Sequence, residues 1–204
     1  MTHSDTPTSR RGFLRLGAAA LGATALAAAP GSALAHHINK NAGPGRGVAR
    51  KYLPQTVPFS ARYRAGTVVV DPRRHFLYLV QGNGTARRYG VGVGKAGRAW
   101  AGSATIQRKA KWPYWTPTKN MIRREPEKYA HLAAGLPGGP GNPLGARALY
   151  LYRNGRDTYY RIHGTNQPWS IGQSVSSGCI RMLNEHVADL YERVPIGARV
   201  VVLG

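Results

Sequence analysis

Residues 161–184 read RIHGTNQPWSIGQSVSSGCIRMLN, and this stretch carries the most reactive side chains of the chain. His163 comes at the end of a predicted strand, and the single cysteine, Cys179, follows sixteen positions later in a Ser-Gly turn. The two side chains meet if the intervening loop folds back. Because a free thiol has a pKa of ~8.5, little thiolate exists near neutral pH, and a neighbouring imidazole would stabilise it and return the proton to a departing amine. The stretch therefore predicts acyl transfer through a thioester.

Gly178, directly before the cysteine, strengthens this prediction. Without a Cβ in the way, backbone N–H groups can approach a developing oxyanion, and removing one such donor costs ~2.7–4 kcal/mol in a model protease. Each residue alone has a simpler interpretation, since a lone cysteine is most often a buried, inert apolar group and a histidine at a strand end is usually structural. Nucleophile, base and glycine turn together favour catalysis.

Outward from this stretch, the sequence predicts strands and short turns. Asn154-Gly155 favours a tight hairpin turn between two of the predicted strands. Asn184 is expected to cap a helix whose apolar stripe includes Val187 and Leu190, and a second, shorter helix is expected within 126–134. Residues 111–145 form a long stretch rich in Trp, Pro and Gly, typical of a functional loop, with a purely structural loop as the alternative. The runs rich in β-branched, aromatic and aliphatic residues, which predict strands, are 67–70, 75–81, 85–93, 148–153, 158–163 and 199–203.

The first 35 residues are typical of a signal peptide for export. Arg10-Arg11, a mildly apolar run over 16–29 and Ala33-Leu34-Ala35 at the end resemble a twin-arginine signal with its cleavage site, although a basic disordered tail is the alternative. The 14-residue apolar run is shorter than the ~20 residues of a spanning helix, so we expect no stable membrane anchor after cleavage. The sequence thus predicts a periplasmic protein with a flexible lead-in over 36–64 and a folded domain over 65–204.

Charge limits the partners of this 204-residue chain. It has 29 Lys plus Arg against 8 Asp plus Glu, a formal net charge of +21. Outside the cytoplasm the available anions are cell-wall carboxylates, lipopolysaccharide and acidic phospholipids, and no charge run suggests a nucleic-acid-binding arm. One cysteine excludes an internal disulfide, and no Cys/His cluster predicts a metal site or another cofactor.

His163-Gly164-Thr165, the spacing to 176–181 and the following Asn184 resemble the signature of L,D-transpeptidases, the YkuD-type catalytic domain of bacterial cell-wall enzymes. The resemblance extends over 67–204. It implies a mainly β, β-sandwich-like fold with one short helix after the Cys motif, and a Trp/Pro/Gly-rich lid loop, followed by 141–146, that covers the active site.

The resemblance also implies roles for individual residues. Cys179 would be the nucleophile, His163 the base and acid, and the Gly164 carbonyl the group that orients the imidazole. Gly178 and Cys179 would donate to the oxyanion, beside Ser177, where many members have His instead. The substrate path would be lined by two further residues, Arg181 and Trp169.

Relatives attack the bond between diaminopimelate and D-Ala in peptidoglycan tetrapeptide stems. The acyl group would then pass to the amine of another stem, giving a 3–3 cross-link, or to an envelope protein. Two alternatives stay open at this point: a carboxypeptidase or endopeptidase in which water is the acceptor, and a non-catalytic cationic protein that binds the cell wall.

Overall fold

The computed structural model describes residues 47–95 and 100–204, so the predicted signal peptide over 1–35 and the first part of the lead-in lie outside the described residues. Short 3-10 turns lie at Arg50–Tyr52, Ala130–Leu132 and Pro168–Ser170. Three α-helices are described: α1 (Lys119–Arg124), α2 (Pro126–Tyr129) and α3 (Asn184–Arg193). The strands, in chain order, are β1 (Gln55–Pro58), β2 (Val68–Asp71), β3 (Phe76–Val80), β4 (Thr85–Gly90), β5 (Val93–Gly94), β6 (Gly102–Lys111), β7 (Arg147–Arg153), β8 (Arg156–His163), β9 (Ser174–Ser176), β10 (Ile180–Arg181) and β11 (Arg199–Val202).

Within the described ranges, nine strands form one mixed sheet in the order β1-β4-β3-β2-β11-β6-β7-β8-β10, and β5 pairs with β9 separately. Neighbours in the large sheet are antiparallel except for β2–β11 and β8–β10, which are parallel. The last strand in sequence, β11, therefore lies in the interior of the sheet between β2 and β6. The prediction of a mainly β fold with a short helix after Cys179 is confirmed, and two further short helices lie in the 111–145 lid.

One side of the sheet packs against α3. The apolar stripe of this helix buries Val187, Leu190 and Val194 against sheet residues such as Leu149 and Ile162. Full burial of a side chain of this kind contributes about 1.5–3 kcal/mol. Because the loop to β10 and the start of α3 are fixed on this core, the residues between His163 and Asn184 have a rigid support.

The second half of the expected flexible lead-in is part of the sheet. Residues 55–58 form β1, which pairs antiparallel with β4. Tyr52, Val57 and Phe59 pack against a second cluster of buried side chains that includes Phe76 and Tyr78. Residues 52–59 are therefore ordered, because they cover the apolar face formed by Phe76 and Tyr78. The composition of the lead-in, rich in Gly, Pro and basic residues, does not indicate this contact.

The hairpin turn forms where the sequence predicts it. β7 ends at Arg153 and β8 begins at Arg156, with Asn154 and Gly155 between them at φ angles of 50° and 74°. These positive angles are those of a two-residue turn of the type that Asn-Gly favours. The predicted strand over 85–93 instead divides into β4 and β5. Among the described residues, no helix is long and apolar enough to cross a lipid bilayer.

Candidate active site

A cleft of about 470 Å³ is lined by both His163 and Cys179. The lid contributes residues such as Trp115 and Tyr129 to the lining, and Arg181 lines the same cleft. The structure therefore brings the histidine and the cysteine of the 161–184 stretch into one cavity.

Adjacent parallel strands produce this arrangement. β8 ends at His163, which is paired with Arg181 of β10, and Cys179 comes directly before β10. The Met182 N–H donates to the His163 carbonyl at 2.8 Å, which holds the chain after β10 next to the end of β8. The loop over 164–178 thus folds back, as the motif spacing predicts.

His163 is 5% exposed, and its Nδ1 lies 2.5 Å from the Gly164 carbonyl oxygen. A carbonyl can only accept, so Nδ1 carries the proton and Nε2 keeps its lone pair. Burial lowers the pKa of His163 to about 4; the hydrogen bond to Gly164 opposes this, and the charges of Arg181 and Arg161 add to it. At neutral pH the imidazole is therefore uncharged and able to accept a proton.

The Cys179 thiol is partly buried, with Sγ 3.8 Å from the carbonyl oxygen of Tyr159. Burial raises the pKa of the thiol. The pKa is lowered by the backbone N–H of Arg161 and by the positive charges of Arg161 and Arg181. The resting pair is thus a neutral thiol and a neutral imidazole. Because the thiolate is the nucleophilic form of cysteine, the thiol must lose its proton before the sulfur can act as a nucleophile.

A bulge in β8 supplies the carbonyl that meets the thiol. The register between β7 and β8 shifts here, and Tyr159 has a φ of 61°. Asp157 accepts from the Tyr159 N–H at 2.8 Å and binds the Arg161 guanidinium through both oxygens at 2.7 and 2.8 Å. Sequence reasoning missed these residues, because residues four apart in a regular strand do not touch, and the sequence does not show the bulge that brings Asp157 to Arg161.

The turn before Cys179 is held by Ser176, which is 2% exposed. Its Oγ accepts from the Gly178 N–H at 3.1 Å and donates to the Cys179 carbonyl at 2.6 Å. The Gly178 N–H, expected to face an oxyanion, is therefore already engaged. Among the described residues, the backbone N–H of Cys179 has no acceptor. Ser177 is exposed and lines the cleft.

Arg181 and Trp169 both line the cleft. The Arg181 guanidinium donates to the side-chain oxygen of Gln167, which also lines the cleft, at 2.8 Å. Burial lowers the pKa of Arg181, although a guanidinium remains charged. Trp169 is 58% exposed in the 168–170 turn and presents an apolar surface to incoming ligands.

The lid is fastened by Asn142, which is 2% exposed. Its amide nitrogen lies 3.0–3.1 Å from the carbonyl oxygens of Pro113, Leu136 and Pro137, and its oxygen accepts from the Leu144 N–H at 2.8 Å. One side chain thus joins the two ends of the lid. Across the described ranges, no three His, Cys, Asp or Glu side chains come together in the manner of a metal site.

Comparison with known proteins gives consistent matches. A family model described as the L,D-transpeptidase catalytic domain YkuD matches residues 65–202. The probable L,D-transpeptidase ErfK/SrfK of Escherichia coli is 36% identical over 155 residues, which cover 74% of this chain and 48% of that protein. The chain spans about half the length of this curated relative.

Two solved structures resemble this one. One, from Brucella melitensis, described as a probable carnitine operon oxidoreductase, is 56% identical with a TM-score of 0.53, covering 76% of this chain and 96% of that one. The other, the Ldtfm–avibactam carbamoyl enzyme, is 18% identical with a TM-score of 0.51, covering 70% and 50% respectively, and shares the fold. The activity in the Brucella description differs from that of the family model that matches this chain.

Proposed function

Since this chain belongs to the YkuD family of L,D-transpeptidase catalytic domains, we propose that it is a periplasmic L,D-transpeptidase with Cys179 as its nucleophile. Its donor substrate is the tetrapeptide stem of peptidoglycan, cleaved between diaminopimelate and D-Ala. The observation that carries the proposal is the shared cleft, which His163 and Cys179 both line and in which Gly164 holds Nδ1 of His163, so that Nε2 keeps the lone pair.

In the first half-reaction the Cys179 thiol gives its proton to Nε2 of His163, and the sulfur attacks the carbonyl carbon of diaminopimelate. The Cys179 N–H donates to the oxyanion that forms. The C–N bond then breaks, the imidazolium protonates the departing amine, and D-Ala leaves. A thioester on Cys179 remains.

In the second half-reaction an amine attacks the thioester. His163 takes the amine proton and returns it to the sulfur as the C–S bond breaks, which regenerates the thiol. An amine from another stem gives a 3–3 cross-link, and one from an envelope protein attaches that protein to the wall. The lid over the cleft favours amines over water, because it limits solvent access to the thioester.

The periplasmic location is supported by the twin-arginine-type sequence over 1–35. The net charge of +21 suits a polymer whose stem peptides carry carboxylates. That attraction concentrates and retains substrate, and it weakens with salt beyond a screening length of about 8 Å at physiological ionic strength.

The test is to incubate the purified protein with a disaccharide tetrapeptide and to follow it by mass spectrometry. We expect release of D-Ala and a tripeptide adduct on Cys179, both of them lost in Cys179→Ala. Absence of both from the wild type would refute the proposal. With excess acceptor amine, a cross-linked dimer supports transpeptidation, whereas free tripeptide alone identifies a hydrolase. Unchanged wall composition in cells carrying Cys179→Ala would instead favour a binding protein.

A further inference from the structure

The side chain of Asn184 joins two segments that lie far apart in sequence. Its Oδ1 accepts from the Ala146 N–H at 2.9 Å and from the Thr165 N–H at 3.2 Å. Ala146 lies between the end of the lid and the start of β7, and Thr165 lies two residues after His163. The sequence predicts Asn184 as the cap of α3, and this prediction is wrong by one position. Leu183 holds the cap position, and Asn184 is the first residue of the helix. The side-chain oxygen of Asn184 instead accepts the two long-range hydrogen bonds.

Two glycines make room for this oxygen. A Cβ on Gly145 or on Gly164 would fall on Asn184 Oδ1. Gly145 also has a φ of 62°, where other residues are strained. Ala146 and Thr165 are both buried, so their N–H groups would have no access to water if Asn184 were removed.

The contact to Thr165 bears directly on the imidazole. The Gly164 carbonyl and the Thr165 N–H belong to one planar trans peptide unit, in which they point in opposite directions. The carbonyl end meets Nδ1 of His163, and the N–H end meets Asn184. Fixing one end of the rigid plane therefore fixes the other.

We propose that Asn184 is a positioning residue for His163. Asn184 fixes the Gly164–Thr165 peptide plane, and this plane sets the tautomer and the direction of the imidazole. Because Asn184 also binds the Ala146 N–H, it connects the imidazole to the segment that directly follows the lid. The proposal rests on the proposed function in that His163 is taken as the base. α3 provides the fixed reference, because its Val187 and Leu190 are fully buried in the core. Any displacement of the lid end at Ala146 is then transmitted to the catalytic base.

The first experiment compares Asn184→Ala with Asn184→Asp in the full chain. Alanine removes the acceptor, and we expect kcat for tetrapeptide turnover to fall about tenfold to a hundredfold, the range that small misplacements cost, with little change in donor KM. Aspartate keeps an oxygen that can accept both N–H groups, so it restores most of kcat. A fall confined to KM, or no rescue by aspartate, would overturn the proposal.

The second readout needs no activity. Nitrogen NMR of the His163 ring reports which nitrogen carries the proton, and we expect Nδ1–H in the wild type and in Asn184→Asp. In Asn184→Ala the proton should redistribute towards Nε2. The matched control is Asp189→Asn, which breaks contacts of the same helix to Arg87 and Arg193 away from the cleft. Asp189→Asn should lower the free energy of unfolding but leave the His163 tautomer unchanged. If this control also shifted the tautomer, any disturbance of α3 would have the same effect, and Asn184 would have only a structural role.

A double-mutant cycle completes the test. Gly164→Ala alone pushes against Asn184 Oδ1, so its effects on kcat and stability should shrink when Asn184 is already alanine. Part of the effect persists, because the new methyl group also lies close to the Ala146 nitrogen. Fully additive effects would contradict the coupling. If the wild type formed no acyl adduct, the proposed reaction would fail, while the tautomer result would still judge the positioning role.

Discussion

At the level of single residues, the charges around the Cys179 thiol determine how readily it ionises. Arg161 lowers the thiol pKa by its charge, and the same guanidinium is held by Asp157. Arg161→Gln removes the charge and keeps the backbone N–H, so the pKa should rise. We expect alkylation of Cys179 by iodoacetamide at neutral pH to slow about threefold to tenfold, which corresponds to a rise of up to ~1 pKa unit.

Arg108→Gln is a matched control for this prediction. The guanidinium groups of Arg108 and Arg161 lie 4.4 and 4.5 Å from the centre of the Tyr150 ring. Both substitutions therefore remove one positive charge and the contact to Tyr150, and Arg161→Gln also removes the ion pair with Asp157 and a longer contact to the Tyr159 ring at 5.9 Å. Of these two arginines, Arg161 is the one whose charge lowers the thiol pKa, so equal slowing by the two variants would show that net charge, rather than local position, governs the reactivity of the thiol.

Ser176 holds the turn that carries Cys179, and this role can be tested by substitution. Ser176→Ala leaves the buried Gly178 N–H without its acceptor, and we expect a loss of about 1–3 kcal/mol in the free energy of unfolding. Acyl-enzyme formation should also slow, because the Cys179 carbonyl is released. Urea denaturation and stopped-flow acylation measure the two effects. The exposed neighbour provides the comparison: Ser177→Ala should change stability by less than ~0.5 kcal/mol.

At the level of elements, the lid depends on one buried amide. Asn142→Asp keeps the oxygen that accepts from Leu144 but turns an acidic oxygen towards three carbonyl oxygens. We expect the lid to loosen, with faster protease cleavage within 119–132 and a larger share of acyl-enzyme lost to water. Asn166→Asp is the control, because it changes a single exposed contact to Gly141. Equal cleavage of the two variants would argue against Asn142 as the fastener.

The elements also show what local sequence can and cannot predict. β3 is buried at all five positions, and its continuous apolar run predicts it directly. β6 has only Ala104 and Ile106 buried, and β1 is an edge strand with mostly exposed residues, so neither carries a strong local pattern. Their order comes from pairing partners distant in sequence, which local patterns do not contain.

The same limit applies to the candidate site. The loop that brings His163 and Cys179 into one cleft follows from the motif and its spacing. The contact of Tyr159 with the thiol depends on a register shift against β7, and the contacts of Asn184 depend on residues 38 and 19 positions away. A short polar residue before an apolar stripe predicts a helix cap. This prediction fails for Asn184, because the sequence alone does not show which remote N–H groups compete for its side chain.

At the level of the whole molecule, two buried histidines make stability depend on pH. His163 and His186 are each 5% exposed, and burial lowers the pKa of each to about 4 from 6.5. Between these values the unfolded chain binds more protons than the native state, so stability rises with pH through this window and falls as the solution is acidified. Each histidine accounts for roughly 2–4 kcal/mol between pH 7 and pH 4.

Urea denaturation at a series of pH values measures this dependence. His186→Leu should remove about half of this dependence, since His163 remains, and should also eliminate the buried Nδ1 of His186, which has no partner within 47–95 and 100–204. An unchanged slope of stability against pH in this variant would show that His186 is not among the groups responsible.

The interior position of β11 has a consequence for how the chain acquires its structure. Every other described strand precedes β11 in sequence, yet β11 lies between β2 and β6 and is hydrogen-bonded to both. Without residues 199–202, β2 and β6 lack the partner that joins them, and each would present an open strand edge that can pair wrongly. We therefore expect the two parts of the sheet to join only once β11 has taken its place between them.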